Sequence, residues 1–306
     1  MRKLTISNIR LRRKKRVNTK KELIGWLFML PMIFVLYYFI VRPQISGIAL
    51  SFFKLKGYTP NGFAGLDNYI SVIKDKEFIP TLINTIEYVL WSLLIGFPLP
   101  IIMAFMLNEM VYLKNPLRVC IYIPAILPVV VYTMLWGILY NAGDSGFFNT
   151  ILAKFGFAPY GWLDDGRFTI LYIIIAMTWH GAGASTILYY AVLQSIPVEL
   201  YEAATMDGAS PLTKFIKISL PQISGMLLLN FVNQIIGVFQ VLQEPMVMTM
   251  GGPNGASNSL GYLAYKYGFV SGRVGNSLAL GTVMFIILIG ATIFYFRLQK
   301  RVEENY

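Results

Sequence analysis

Long runs without a charged residue dominate the pattern of this chain of 306 residues. A spanning helix needs about 20 mostly apolar residues, and a charge at mid-bilayer costs roughly 2.5–3.5 kcal/mol on insertion scales. Six runs satisfy both conditions, namely residues 23–41, 88–108, 119–143, 168–198, 218–243 and 274–296. The pattern therefore predicts an all-α membrane protein with six transmembrane helices.

A further charge-free run, residues 245–265, does not predict a span. It contains Gly251, Gly252, Pro253 and Gly255 in close succession, and turn-forming residues at that density indicate a loop. Irregular backbone cannot face lipid with its N–H and C=O groups unpaired. We expect this segment to lie outside the bilayer or to fold into the protein.

Charged residues are few, and their distribution predicts the orientation. They make up 13% of the chain, against about 25% in an ordinary soluble domain. Residues 1–21 hold 10 of the 26 Lys and Arg residues, and such clusters favour the cytoplasmic side. Both termini are expected there, with residues 1–22 as a basic tail, residues 23–299 as one six-helix domain and residues 300–306 as a second tail. The net charge of +11 then reflects topology and contact with membrane lipid, and no nucleic-acid partner is expected.

Cys120 and His180 are the only cysteine and histidine of the chain. A single cysteine excludes an intrachain disulfide and a cysteine metal cluster, and a single histidine argues against His-based metal sites, so no metal or cofactor is expected. His180 precedes a run of small residues, which is typical of closely packed helices. We expect a packed, hydrogen-bonded histidine, with a proton relay as the alternative.

Two short helices are predicted between the fourth and fifth spans, on the cytoplasmic side, in residues 195–221. Ser195 can cap the first helix, with Pro197 in its first turn, and Gly208 can end it because glycine tolerates a positive φ. Ser210 then suits the start of the second helix. The pair presents apolar and charged side chains together, which predicts a docking surface for a soluble partner.

The same segment resembles the EAA loop of binding-protein-dependent ABC importer permeases. That pattern is E-A-A, three residues, G, nine residues, I, one residue and L-P, and every spacing agrees. The matching residues are Glu202, Ala203, Ala204, Gly208, Ile218, Leu220 and Pro221. The resemblance implies a cytoplasmic coupling helix that seats in a groove of an ATPase subunit and transmits its closure.

The resemblance also implies a complex in a bacterial cytoplasmic membrane. Its other members would be a second permease subunit, expected to be a homologous chain, two ATP-binding cassette ATPase subunits and an extracytoplasmic solute-binding protein. No G-x-x-x-x-G-K-[ST] phosphate loop occurs in the sequence. ATP hydrolysis is therefore expected in the partner subunits, and the chain is not expected to be an enzyme.

Two further segments resemble carbohydrate-type permeases of this family, residues 239–242 (Phe-Gln-Val-Leu) and residues 248–253 (Met-Thr-Met-Gly-Gly-Pro). They imply that a sugar or oligosaccharide is the imported solute. Import of a non-sugar polar solute stays open. An ion-coupled secondary transporter would need paired charges inside the membrane, and only Glu87 and His180 are available. A membrane scaffold or sensor would need no converging polar side chains.

Polar residues recur at three- and four-residue steps along the fifth predicted span, which places them on one helix face. They are Asn230, Asn233, Gln234, Gln240 and Glu244. Amides both donate and accept hydrogen bonds, as a neutral, hydroxyl-rich ligand requires, and polar residues within a membrane usually face the bundle interior or a water-filled cavity. We predict a substrate path along this face. Hydrogen bonding between helices is the alternative for the two asparagines.

Three residues on other spans are predicted to join the path. Glu87 is the one acid expected within a helix that enters the membrane, where carboxylates are usually functional, although it can also reach solvent or a basic loop residue. Tyr132 and Trp136 lie about one helical turn apart on the third span and offer aromatic faces for stacking on a sugar. Anchoring at the membrane interface is the alternative for such residues.

Overall fold

The structure is a computed structural model that describes residues 19–110 and 112–303. Most of the predicted basic tail, residues 1–18, lies outside the described residues, as do residues 304–306 of the predicted C-terminal tail.

The first of two compact units, Met1–Ala49, is a single run of helix in its described part. Helix α1 (Thr19–Leu36) passes through one π-helical turn, Tyr37–Val41, into α2 (Arg42–Leu50). Apolar residues occur on all sides of this run, which is typical of a helix surrounded by lipid. Leu23–Leu50 forms the first candidate span.

The second unit, Leu50–Tyr306, begins with a β-hairpin, and this corrects the prediction of an all-α chain. Strand β1 (Phe53–Lys56) pairs antiparallel with β2 (Thr59–Phe63). The residues of β1 alternate apolar and basic, which is the period of a strand. Gly57, with φ +62°, lies in the turn and adopts a backbone conformation that other residues rarely take.

The other helices of this unit occupy most of the described residues. They are α3 (Asp67–Ile73), α4 (Phe78–Trp91), α5 (Pro98–Glu109), α6 (Lys114–Ile126), α7 (Val129–Leu139), α8 (Phe147–Lys154), α9 (Thr169–Leu193), α10 (Val198–Met206), α11 (Pro211–Lys214), α12 (Leu220–Gln222), α13 (Ser224–Phe239), α14 (Gln243–Met248), α15 (Leu260–Tyr265) and α16 (Val274–Glu303). Three π-helical turns connect some of them without interruption, at Ser92–Gly96, Phe215–Ser219 and Lys266–Val270.

Four helices in the described residues are long and apolar enough to cross a membrane in one piece: Leu23–Leu50, Phe78–Glu109, Thr169–Leu193 and Val274–Arg297. Two bent pairs add up to two more. One joins α6 to α7 at 98°, and the other joins Pro211–Gln222 to α13 at 75°. The protein is thus mostly helical with four to six candidate spans, and the predicted third and fifth spans are broken helices.

Pro128 accounts for the break between α6 and α7. Leu127, the residue before it, is extended, with φ −66° and ψ 135°, as residues before proline prefer to be. The break leaves the Leu127 carbonyl free, and this carbonyl accepts a hydrogen bond from His180 Nε2 at 2.9 Å. A hydropathy run does not register such a break, because every residue around it is apolar.

Helix α9 lies at the centre of the second unit. It packs against α4, α5, α6 and α7, and 12 of its residues are buried. Gly183 allows the closest approach, since a Cβ at this position would lie 2.0 Å from Ile121 O on α6. The two backbones therefore touch here, as at other interfaces of small residues between membrane helices.

The rejected seventh run, residues 245–265, is folded into the protein, one of the two placements expected for it. Asn84 on α4 donates from Nδ2 to the carbonyls of Gly255 and Asn258, at 2.9 and 3.1 Å. Tyr88 OH, on the same helix, donates to a third carbonyl of the loop at 3.0 Å. Side chains of α4 thus donate hydrogen bonds to backbone carbonyls of the irregular loop and hold it in the protein.

Candidate functional site

Three neighbouring cavities follow α13. Their volumes are about 240, 180 and 300 Å³. The first two share the wall residues Gly96, Pro100, Ser185, Asn233 and Gln234. The first and the third share Met177 and Gly237. Because neighbours share walls, the three cavities form one track along the helix, and we call it the polar path.

One wall of the polar path is a face of α13. Asn230, Asn233, Gln234 and Gly237 all contribute to it. Asn230 Nδ2 donates to Met226 O of its own helix at 3.1 Å. Its side chain also interacts with Tyr189 of α9, so Asn230 takes part in a contact between helices as well as lining the path. Contact of these residues with a solute stays a prediction.

Gln240 and Glu244 continue the path, although not on the same helix face, which corrects the prediction of one continuous stripe. Helix α13 ends at Phe239, and Glu244 belongs to α14. Both residues line the third cavity. The backbone at Gly261 packs directly against the end of this helix, since a Cβ on that glycine would lie 2.7 Å from Gln240 O.

The opposite wall comes from the π-helical turn Ser92–Gly96, α5 and α9, and its residues were not selected from the sequence. Its polar and small members are Ser92, Gly96, Thr178, Gly181 and Ser185. Gly96 ends a π-helical turn, and a Cβ there would lie 3.1 Å from Gln234 Nε2 and 3.2 Å from Thr178 Oγ1. The absence of a side chain keeps this part of the path open. The signal in the sequence was Gly, Ser and Thr within two otherwise apolar runs.

A chain of contacts behind the path holds Glu244. The Tyr132 hydroxyl donates to Glu244 Oε1 at 2.6 Å. The Tyr132 ring stacks on His180 with centroids 4.1 Å apart and planes 15° apart. His180 in turn donates to Leu127 O at the helix break. The histidine is therefore packed and hydrogen-bonded, as expected, and its contacts fix the tyrosine that meets the carboxylate.

Glu87, Tyr132 and Trp136 line none of these three cavities. Glu87 Oε1 accepts a 3.1 Å hydrogen bond from Trp91 Nε1, one turn further along the chain. Tyr132 and Trp136 do share a helix face, but that face packs into an aromatic cluster against Ala176 of α9. Of the three residues, Tyr132 alone reaches the path, through Glu244.

The first helix of the predicted coupling segment begins later than a cap at Ser195 would place it. Helix α10 starts at Val198, and Pro197 precedes it. Ser195 does not cap this helix, because its hydroxyl donates to Val192 O at 2.7 Å. The serine thus closes the end of α9 instead.

Gly208 ends α10 in the conformation predicted for it. Its φ is +73°. The Gly208 N–H donates to Thr205 O at 3.0 Å and the Ala209 N–H donates to Ala204 O at 2.9 Å. This pair of bonds is the Schellman motif, which requires a left-handed residue at this position and is usually built on glycine.

The second arm of the segment starts at Ser210, whose hydroxyl accepts the Thr213 N–H at 3.2 Å. Helix α11 then runs through the turn Phe215–Ser219 towards α13. The Tyr201 and Ser219 hydroxyls lie 2.9 Å apart and join the two arms. The segment is therefore a closed hairpin of two helices and not two independent turns.

Much of the hairpin is exposed. Among the seven motif residues, Glu202, Ala203, Gly208 and Pro221 are exposed, and Ala204, Ile218 and Leu220 are partly buried. Three large apolar side chains beside them are also exposed: Met206 (89%), Leu212 (64%) and Ile216 (54%). An apolar surface of this kind usually marks an interaction site.

A comparison with protein families identifies the family of a chain that has this hairpin and this polar path. Residues 96–304 match the family described as binding-protein-dependent transport system inner membrane component. This range is well over half of the chain and includes both the hairpin and α13. The chain belongs to this family. It is an inner membrane component of a transport system that works with a binding protein.

Individual members of the family are similar over almost the whole chain. The arabinooligosaccharides transport system permease protein AraP of Bacillus subtilis is 29% identical, with 91% of this chain and 89% of that protein covered. The trehalose/maltose transport system permease protein MalF of Thermococcus litoralis is 31% identical, with 90% and 94% covered.

The fold is also that of a solved ABC transporter subunit. One chain of a bacterial ABC transporter involved in the import of the acidic polysaccharide alginate superposes with a TM-score of 0.82 and is 23% identical. The match covers 92% of this chain and 97% of that one. At this identity the likeness establishes the fold of the permease and not its solute.

Proposed function

We propose that the chain is the transmembrane subunit of an ATP-driven, binding-protein-dependent importer, that it forms part of the translocation path for a sugar or oligosaccharide, and that it couples to a separate ATPase. The observation that carries the proposal is the continuity of two surfaces. The exposed hairpin Val198–Gln222 leads directly into α13, and α13 carries the amide wall of the polar path.

Energy coupling is assigned to the seven motif residues of the hairpin. Glu202, Ala203 and Ala204 lie on α10, where the two alanines allow close approach of a partner. Gly208 fixes the turn through its left-handed conformation. Ile218, Leu220 and Pro221 connect the hairpin to α13. Movement of the hairpin, when an ATPase subunit closes on ATP, would then reach the wall of the path through one continuous piece of chain.

This arrangement orients the molecule. The ATPase is cytoplasmic, so the hairpin lies on the cytoplasmic side. Helix α13 has 16 residues, which span about 24 Å at 1.5 Å per residue. Gln240 and Glu244 therefore lie at the extracytoplasmic end of the path. Six spans with both termini in the cytoplasm follow if each bent helix pair crosses once.

A saccharide suits the walls of the path. Amide and hydroxyl groups from α13, α9 and the turn Ser92–Gly96 offer both donors and acceptors. Relatives named for arabinooligosaccharides and for trehalose and maltose share most of the chain. A second, homologous permease would complete the path on its open side, two ATPase subunits would bind the hairpins, and a solute-binding protein would deliver the saccharide from outside.

The test is the ATPase activity of the whole complex in lipid nanodiscs, with and without binding protein loaded with candidate oligosaccharides. We expect stimulation by a loaded binding protein and its loss in Glu202→Lys. Glu199→Lys, the same charge reversal on the same exposed helix but outside the motif, is the matched control and should keep the stimulation. A complex that no loaded saccharide stimulates would contradict the sugar assignment, and a chain that associates with no ATPase would contradict the importer itself.

A further inference from the structure

The walls of the polar path carry very little charge. Among the residues that line the three described cavities, Glu244 is the only one with a carboxyl side chain, and Lys, Arg and His do not occur. The remaining polar contacts are amides and hydroxyls. This part of the chain therefore offers an anionic solute no cationic partner anywhere along the path.

The position of Glu244 brings an incoming solute close to its charge. It lines the third cavity, of about 300 Å³, with Gln240 and Gln243 beside it. That cavity is the last of the three and lies at the extracytoplasmic end under the proposed orientation. A solute that comes from the binding protein passes Glu244 before it reaches the amides of α13.

The carboxylate is also held in place. Tyr132 OH donates to Oε1 at 2.6 Å, a distance typical of a hydrogen bond from a hydroxyl to a carboxylate. Stacking on His180 fixes the tyrosine ring. The charge is therefore a fixed feature of the cavity wall, and a fixed charge beside low-dielectric walls repels like charges more strongly than one in open water does.

We propose that Glu244 makes the path selective for uncharged saccharides and excludes anionic ones, such as sugars that carry a uronate carboxylate. This inference rests on the proposed import of a saccharide and adds its charge class. Selectivity of this kind needs no favourable contact with the uncharged saccharide. Repulsion between Glu244 and the negative charge of an anionic saccharide is sufficient.

The charge of the cavity can be measured without any saccharide. Gln240→Cys in a Cys120→Ser background places one thiol in the third cavity of the assembled complex in nanodiscs. Its rates of reaction with a cationic and an anionic methanethiosulfonate reagent of similar size are compared, each relative to a free thiol. We expect the rate to rise about tenfold to 100-fold for the cationic reagent and to fall by a similar factor for the anionic one, the range for a unit charge roughly 6–12 Å away at an effective dielectric constant of about 20.

Glu244→Gln is then added to the variant that carries Gln240→Cys and Cys120→Ser. It should remove most of the preference for the cationic reagent, because the amide keeps an acceptor for Tyr132 but carries no charge. Glu87→Gln removes a carboxylate that lines none of the three cavities and should leave the ratio unchanged. The proposal is overturned if Glu244→Gln leaves the ratio as it was, or if Glu87→Gln lowers it to the same degree.

Solute selection is measured by uptake into proteoliposomes. The probes are a uronate-containing oligosaccharide and its carboxyl-reduced counterpart of the same length, delivered by the same binding protein. We expect the ratio of neutral to anionic uptake to fall at least about tenfold from wild type to Glu244→Gln, and the contribution of the binding protein cancels in this comparison. An unchanged uptake ratio would overturn the proposal. If the wild type imports neither probe nor any other saccharide, the proposed function fails instead, and the thiol ratio still shows whether Glu244 sets the charge of the cavity.

Discussion

The hydroxyl of Tyr201 lies 2.9 Å from the hydroxyl of Ser219 and joins the two arms of the hairpin that precedes α13. Ser219 is fully buried, so this contact lies inside the hairpin and not on its surface. Because α12 and α13 follow Ser219 directly, the bond links the helix that would meet an ATPase to the helix that lines the polar path.

Tyr201→Phe should weaken energy coupling. It leaves the Ser219 hydroxyl buried without this partner, at a cost of about 1–3 kcal/mol, and the two arms can then move separately. We expect saccharide-stimulated ATPase activity to fall by about threefold or more while basal activity stays. Tyr58→Phe, at an exposed tyrosine in the turn of the β-hairpin, is the control. Full stimulation in Tyr201→Phe would show that the bond plays no part in coupling.

Gly208 should tolerate asparagine but not valine. Its φ of +73° is left-handed, and a Cβ at this position would meet nothing within 4 Å, so the backbone alone sets the cost. That cost is about 1–3 kcal/mol for most residues and smaller for asparagine. We expect Gly208→Val to lose stimulation of the ATPase and Gly208→Asn to keep most of it.

Gly272 supplies the matched control for this series. It has φ +65° and equally open surroundings, but it lies outside the hairpin. Gly272→Val introduces a similar backbone strain elsewhere and should leave coupling intact. Equal loss of stimulation in both valine variants would mean that strain itself, and not its place in the hairpin, is responsible.

Gly183→Ala should destabilise the packing of α6 on α9. The added Cβ would lie 2.0 Å from Ile121 O, and a rigid backbone cannot give way as a flexible side chain can. We expect a loss of about 1–3 kcal/mol or more, read as a lower Tm of the purified complex. Gly181→Ala, on the same helix with nothing within 4 Å, should be neutral or stabilise by up to about 1 kcal/mol. Similar Tm values for the two variants would contradict the described contact.

The segment between α8 and α9 should lose structure only in strong acid. Arg167 donates hydrogen bonds to Asp165 from its side chain and its backbone, and this holds the pKa of that carboxyl well below its ordinary value of 3.8. A lowered pKa stabilises the fold at every pH above the unfolded value, about 3.9, and the effect is lost as pH falls through the folded pKa.

We expect protease cleavage of residues 155–168 to be constant from pH 8 to about pH 5 and to rise in stronger acid. Asp165→Asn should be cleaved more at neutral pH and lack that acid step. A wild-type rise near pH 6 would contradict this.

The sequence was sufficient to predict much of the fold because lipid imposes a strict rule on composition. Charge-free runs marked every candidate span, and the glycine-rich run 245–265, which was not predicted as a span, is folded into the protein. The capping roles of Gly208 and Ser210 were predictable from the residues next to them. The break at Pro128 was missed, because a proline inside an apolar run can kink, break or merely bend a helix, and the neighbouring helix decides which.

The candidate site was predictable on one side only. The amides of α13 stand out because polar residues are rare in a membrane. The opposite wall, at Gly96 and Thr178, consists of small residues that a single sequence cannot distinguish from helix packing. Tyr132 was placed in the path because its helix face is aromatic, but tertiary contacts turned that face towards α9. The helix period gives the face of a residue and not the neighbour that the face meets.

The most direct test of the account is saccharide uptake into proteoliposomes that contain the whole complex, with ATP on the side of the hairpin. Wild type should accumulate saccharide from loaded binding protein only when ATP is present, Gly208→Val should hydrolyse ATP without accumulating it, and Gly272→Val should behave as wild type. Uptake that continues without ATP, or that Gly208→Val leaves unchanged, would contradict the claim that this hairpin couples an ATPase to the polar path.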